Sequence, residues 1–171
     1  MKRYAIVAAL ALLGAACGDD SPTSPSDGPV VFTVALAASS EVPPVTNADR
    51  DARGTATITL TAPRDSAGVV TGAGTANFSA QVSGFPPGTI VRAAHIHPGA
   101  TGVNGSPLVD TGLTPANPIT LADGTGTLTF SGITVSQVNA QAIINNPAGY
   151  YFNVHTALTP GGAVRGQLVR Q

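Results

Sequence analysis

The sequence predicts an all-β domain, an antiparallel Greek-key β-sandwich or barrel of about seven or eight strands with one short helix. Three observations carry that expectation. Apolar and β-branched residues recur in short segments with period-two alternation, the repeat of a strand with one wet face. Turn residues punctuate those segments, with 20 glycines and 14 prolines among 171 residues. A single stretch near residue 140 has helical spacing instead.

The elements follow in order. Residues 30–37 (VVFTVALA) read as a strand, and SSEVPPVT at 39–46 as an irregular connection fixed by Pro43 and Pro44. TATITLT at 55–61 alternates threonine with apolar residues, which suits a half-buried strand. Two turn clusters flank Val69-Val70, the next strand covers 75–82, and FPPGT at 85–89 turns the chain into 90–97. Short strands are expected at 107–113 and 126–130. Within 134–146, Val135, Val138, Ala142 and Ile143 fall on one helical face, and Pro147 ends the run. Segments 150–156 and 163–169 form a terminal hairpin through LTPGG, and no internal repeat is evident.

The first residues, MKRYAIVAALALLGAACGDD, have the layout of an export signal. Lys2 and Arg3 precede an apolar run too short to cross a bilayer, and small residues lead to Cys17. A cysteine in that position resembles a bacterial lipobox, although Leu13 lies four residues before it rather than three. The expected organisation is a signal peptide at 1–16, a lipidated Cys17 with a flexible tether to residue 29, and one domain at 30–171. The expected location is the bacterial cell envelope, outside the cytoplasm and held to the membrane by lipid. A plain secretory signal with an incidental cysteine is the simpler alternative. With one cysteine in the chain, the domain has no internal disulfide.

Removing Lys2 and Arg3 leaves six basic residues against nine acidic ones, a formal charge of −3. Such a chain lacks the basic footprint that holds a phosphate backbone, which excludes nucleic acid as a partner. Hydrolase chemistry is not indicated either. No serine lies in a GxSxG elbow, and the acids are scattered through turns and the tether.

All three histidines fall in two motifs, His95 and His97 in AAHIHPGATGVNGS and His155 in YYFNVHTALTPGG. Alternation along a strand puts His95 and His97 on one face, roughly 7 Å apart. A third imidazole beside them would complete a three-nitrogen site for copper or zinc with a coordination position left open. In the plainer reading His97 caps a strand, His95 packs in the core and His155 bonds a carbonyl. Glu41 is a candidate fourth ligand, or an acceptor that fixes an imidazole tautomer, unless it is simply a surface acid. Arg165 is a candidate for anion attraction or for bonding carbonyls near residues 102–105. Asp110 reads as a turn residue, and Gly99, Gly102, Gly105, Gly161 and Gly162 as positive-φ turn positions.

Four motifs in order, EVPPV, AAHIHPGATGVNGSPLV, YYFNVHT and PGGAVRGQL, resemble the chordin-type (CHRD) domain over about residues 31–170. The resemblance implies an extracellular all-β module with no established enzymatic activity, and an extracellular protein as a possible kind of partner. A weaker resemblance to copper–zinc superoxide dismutases matches His95, His97 and His155 to copper ligands and Arg165 to the arginine near the anion channel. No fourth histidine exists to bridge two metals, so a dinuclear dismutase centre cannot be assembled. Two functional readings follow: a lipid-anchored binding or structural module, or a mononuclear copper or zinc protein with redox activity if the metal is copper.

Overall fold

The computed structural model describes residues 28–171. The signal segment, Cys17 and all but the end of the tether lie outside the described residues.

Ten strands and one α-helix form the domain. The strands are β1 (Val30–Ala37), β2 (Arg53–Thr61), β3 (Gly74–Ser83), β4 (Thr89–Pro98), β5 (Val109–Asp110), β6 (Ile119–Leu121), β7 (Gly126–Val135), β8 (Tyr150–Thr156), β9 (Val164–Gln167) and β10 (Val169–Arg170). They make one antiparallel sheet in the order β5-β4-β8-β9-β1-β2-β3-β7, with β10 on β1 and β6 on β4. Two short pieces raise the number above the expected seven or eight: β6, and β10, which a break at Leu168 separates from β9.

Alternation explains the core. Ala56, Ile58 and Leu60 of β2 and Ala76, Phe78, Ala80 and Val82 of β3 point inward, while the intervening threonines and polar residues face water. Phe78 meets Phe152 of β8 with ring centroids 5.5 Å apart. Three strands separate β3 from β8 in the sheet order, so this contact requires the sheet to curl over on itself into a nearly closed barrel. Every member of this core lies between Val30 and Leu168. Residues 28–171 therefore contain a complete core of their own, as an independently folding domain requires.

The helix, α1 (Gln137–Asn145), is capped by Ser136, whose hydroxyl accepts from the Asn139 amide. Its buried face is Ala140, Ile143 and Ile144, whereas Val138 is 77% exposed. The expected face of 135, 138, 142 and 143 is thus corrected. Val135 belongs to β7, and starting the helix after it rotates the inward stripe to the i, i+3, i+4 set from Ala140.

One irregularity decides where the histidines go. Val91, Ala94 and Ile96 of β4 all enter the core, and the pairing with β8 shifts between Val91 and Ala93. Unbroken alternation from Val91 would send His95 and His97 inward with it. The bulge inserts one residue and reverses the parity, so both histidines face away from the barrel interior.

Candidate metal centre

The pairing of β4 with β8 sets His95 opposite Asn153, His97 opposite Tyr151 and Ala93 opposite His155. On β8, Phe152 and Val154 enter the core, which leaves Tyr151, Asn153 and His155 on the face shared with the β4 histidines. On the next strand, β9, Arg165 lies opposite Asn153. The result is a polar patch on the outer face of the sheet, covered by the connections around residues 41, 104 and 160.

The three histidines come together on this patch. One ring nitrogen from each lies within 4.8 Å of the other two. His95 Nδ1 is 3.2 Å from His155 Nε2. Two of the three outward nitrogens are hydrogen-bonded. His97 Nδ1 donates to the Gly105 carbonyl at 2.9 Å, and His155 Nδ1 donates to the Pro160 carbonyl at 2.9 Å. His95 turns Nε2 towards Asp110 Oδ1, 3.8 Å away. These outer contacts leave His97 Nε2, His155 Nε2 and His95 Nδ1 as the nitrogens available to a common centre.

Proton arithmetic sharpens the point. With its proton on Nδ1, His155 presents a lone pair at Nε2, which faces both His95 Nδ1 and Asn153 Oδ1, the latter at 2.9 Å. His97 Nε2 is buried and has no hydrogen-bond partner. Asn153 Oδ1 is near enough to favour a protonated His97 without closing a bond to it. Three inward lone pairs therefore share at most one proton, the one on His95 Nδ1. A bound cation or a donating water would satisfy them.

The ionisation states agree. Burial, then the neighbouring His155, pushes His95 down to about 4, against the weaker upward pull of Asp110. Burial also holds His97 and His155 below the usual imidazole range, opposed by their carbonyl acceptors. At neutral pH all three rings are neutral, the form that ligates metal.

Around the histidines stands a supporting column. The Tyr151 ring stacks on His97 with centroids 4.9 Å apart and planes 3° from parallel. The Arg165 guanidinium lies over Tyr151, its central carbon 4.5 Å from the ring centroid. Arg165 donates to the Ser40 carbonyl at 2.6 Å and to Asn104 Oδ1 at 2.9 Å, and its Nε is 3.7 Å from Glu41 Oε2. Both charges are buried, Glu41 at 5% exposure and Arg165 at 2%. Desolvation outweighs the attraction of Arg165 and raises Glu41 to about 7. A pair this buried contributes position more than stability, because the loss of hydration offsets most of its mutual attraction.

Several expectations change at this point. Glu41 is no surface acid, but it does not join the histidine cluster; it stands behind Asn153, whose carboxamide favours its charged form. Arg165 makes the bonds to the 103–104 region that the sequence suggested and lies over Tyr151, beside a cavity that Ser40, Glu41 and Val42 also line. Asp110 is the last residue of β5, paired across from His95, rather than a turn residue; its Oδ1 accepts from the Gly112 amide and lies 3.8 Å from His95 Nε2. His95 is not a core histidine, because the bulge turns it outward. Gly99, Gly102 and Gly162 have positive φ, whereas Gly105 and Gly161 do not. Gly105 is needed for close approach instead: a Cβ there would collide with the Pro98 carbonyl. Tyr151 and Asn153 were not foreseen, although both stand at even offsets from His155 on one strand, the available signal.

Fold and site together define a class, a barrel-like antiparallel β domain with an imidazole cluster on the outside of its sheet. The CHRD domain model matches residues 32–168, most of the chain, and the protein belongs to the CHRD domain family. No curated protein and no solved structure matches the chain.

Proposed function

We propose that this chain is a lipid-anchored, extracytoplasmic CHRD-domain module, and that the group it binds is one divalent transition-metal ion held by His95, His97 and His155. The single observation that supports the metal reading is the set of three neutral imidazoles, two of whose outer nitrogens are hydrogen-bonded and whose inner lone pairs have too few protons. Nitrogen donors favour copper and zinc, with Cu(II) the tighter by the usual affinity order. The chain beyond Cys17 holds no methionine, so the soft ligands suited to Cu(I) are scarce. The expected chemistry is that of a mononuclear site with room for an exogenous ligand, redox-active when the ion is copper.

Export and anchoring rest on the residue 1–17 pattern: a basic start, an apolar run, small residues, then cysteine. The test of the metal reading is a titration of residues 28–171 with Cu(II) and Zn(II), beside a His97→Ala, His155→Ala double variant. One equivalent should bind the native domain, Cu(II) more tightly, and the variant should lose that binding. Equal binding by the variant, or none by the native domain, leaves these histidines a structural role.

A further inference from the structure

The three histidines do not account for Asn153. Its side chain is buried at 2% exposure, in the middle of the cluster, on the strand position between Tyr151 and His155 that faces them. Register places it directly across from His95 on one side and Arg165 on the other. Its Oδ1 is 2.9 Å from His155 Nε2. Since His155 donates from Nδ1 to Pro160, this is an approach of two acceptors, which a hydrogen bond does not explain.

We infer that Asn153 Oδ1 is the fourth donor of the centre, completing an N3O set; this rests on the metal reading above. The distances suit it. Two donors each about 2.1 Å from a common ion stand roughly 3.0–3.4 Å apart, depending on the angle between them. The His155 Nε2 separations of 3.2 Å from His95 Nδ1 and 2.9 Å from Asn153 Oδ1 both lie near that spacing, while the three imidazole nitrogens, within 4.8 Å of one another, draw in to share one ion. Orientation suits it too. The carboxamide turns its oxygen, Oδ1, towards the His155 ring nitrogen. An oxygen donor added to three nitrogens shifts preference away from soft monovalent ions towards divalent ones.

The competing geometry is a rotated carboxamide whose NH2 donates to His155 Nε2 with no role in binding metal. Cu(II) titration and electron paramagnetic resonance of residues 28–171 separate the two, using Asn153→Leu and Asn153→Asp. Asn153→Leu should weaken Cu(II) by tenfold or more and change the copper hyperfine pattern. Asn153→Asp, which keeps an oxygen donor, should bind within a few-fold of native but with a shifted spectrum, since a carboxylate replaces a carboxamide. Circular dichroism melts of the metal-free variants establish folding, and if Asn153→Leu does not fold, the aspartate spectrum carries the decision. Native affinity and spectrum in Asn153→Leu, or a native spectrum in Asn153→Asp, would overturn the fourth donor and leave the three-histidine site standing. Absence of binding by the native domain would overturn both.

Discussion

His97 lies flat against Tyr151, the two rings 3° from parallel, and Arg165 covers the opposite face of the tyrosine. The imidazole is thereby fixed by a stacked neighbour as well as by its bond to Gly105. Removing the ring should free His97 to rotate, while removing only the hydroxyl should not. Tyr151→Ala is therefore expected to weaken Cu(II) binding by roughly 10–100-fold, the range seen when groups supporting a ligand are lost. Tyr151→Phe should stay within a few-fold of native, because the Gly105 amide reaches the hydroxyl only at 3.3 Å. Equal affinities in native and Tyr151→Ala proteins would show that the stack does not position the ligand.

Arg165 holds Ser40, Asn104 and Tyr151 together beside a buried acid. Arg165→Ala removes the bonds to Ser40 and Asn104 and the contact with Tyr151, while Glu41, already raised to about 7, takes up a proton rather than standing charged, so the expected cost is about 1–3 kcal/mol. Urea unfolding of the variant should show a midpoint lowered accordingly. A loss under about 1 kcal/mol, the range of an exposed ion pair, would contradict the buried arrangement.

Acid acts on this patch in two opposed ways. The folded-state value of His95 is depressed from 6.5 to about 4, so its contribution to stability is present above 6.5 and lost as pH falls through 4. Glu41 is raised from 4.5 to about 7, so its contribution is present below 4.5 and lost as pH rises through 7. Between 4.5 and 6.5 the two slopes oppose each other. Glu41→Gln removes the second, and stability should then rise with pH across that window more steeply than in the native domain. Urea midpoints measured at several pH values decide it, and parallel curves would contradict the assignment to Glu41.

The same shifts revise the pH dependence of metal binding. Unperturbed imidazoles would begin to release metal below about pH 6. Burial moves the onset lower here, with the steep loss approaching the His95 value of about 4. Copper retention measured by competition from pH 8 to pH 4 should be level to below 6, and a midpoint near 6.5 would contradict it.

Strand positions and the order of motifs were legible because alternation and turn residues are local signals. The shared face of His95 and His97 was legible for the same reason. Which side of the sheet that face belongs to was not, because it depends on a bulge at residues 91–93 seen only in the pairing with β8. Val138 misled because it suits a helical stripe that begins at Val135, where the chain is still in β7. Asn153 and Tyr151 carry no signal of their own as residue types. Their roles arise from cross-strand register, a non-local property that one sequence does not print.

In the proposed lipid-anchored form, Cys17 sets where the chain resides. Cys17→Ser should release the domain from membranes and abolish labelling with a fatty-acid probe. Equal membrane retention of that variant would overturn the lipid anchor and leave the domain's site untouched.

The central claim is that His95, His97 and His155 hold one ion. Crystals of residues 28–171 soaked with Cu(II) and, separately, Zn(II), with diffraction recorded at each metal's absorption edge, test it most directly. The account expects one strong anomalous peak about 2.0–2.1 Å from His97 Nε2, His155 Nε2 and His95 Nδ1. Peaks confined to surface groups, or none at the three imidazoles, would contradict it.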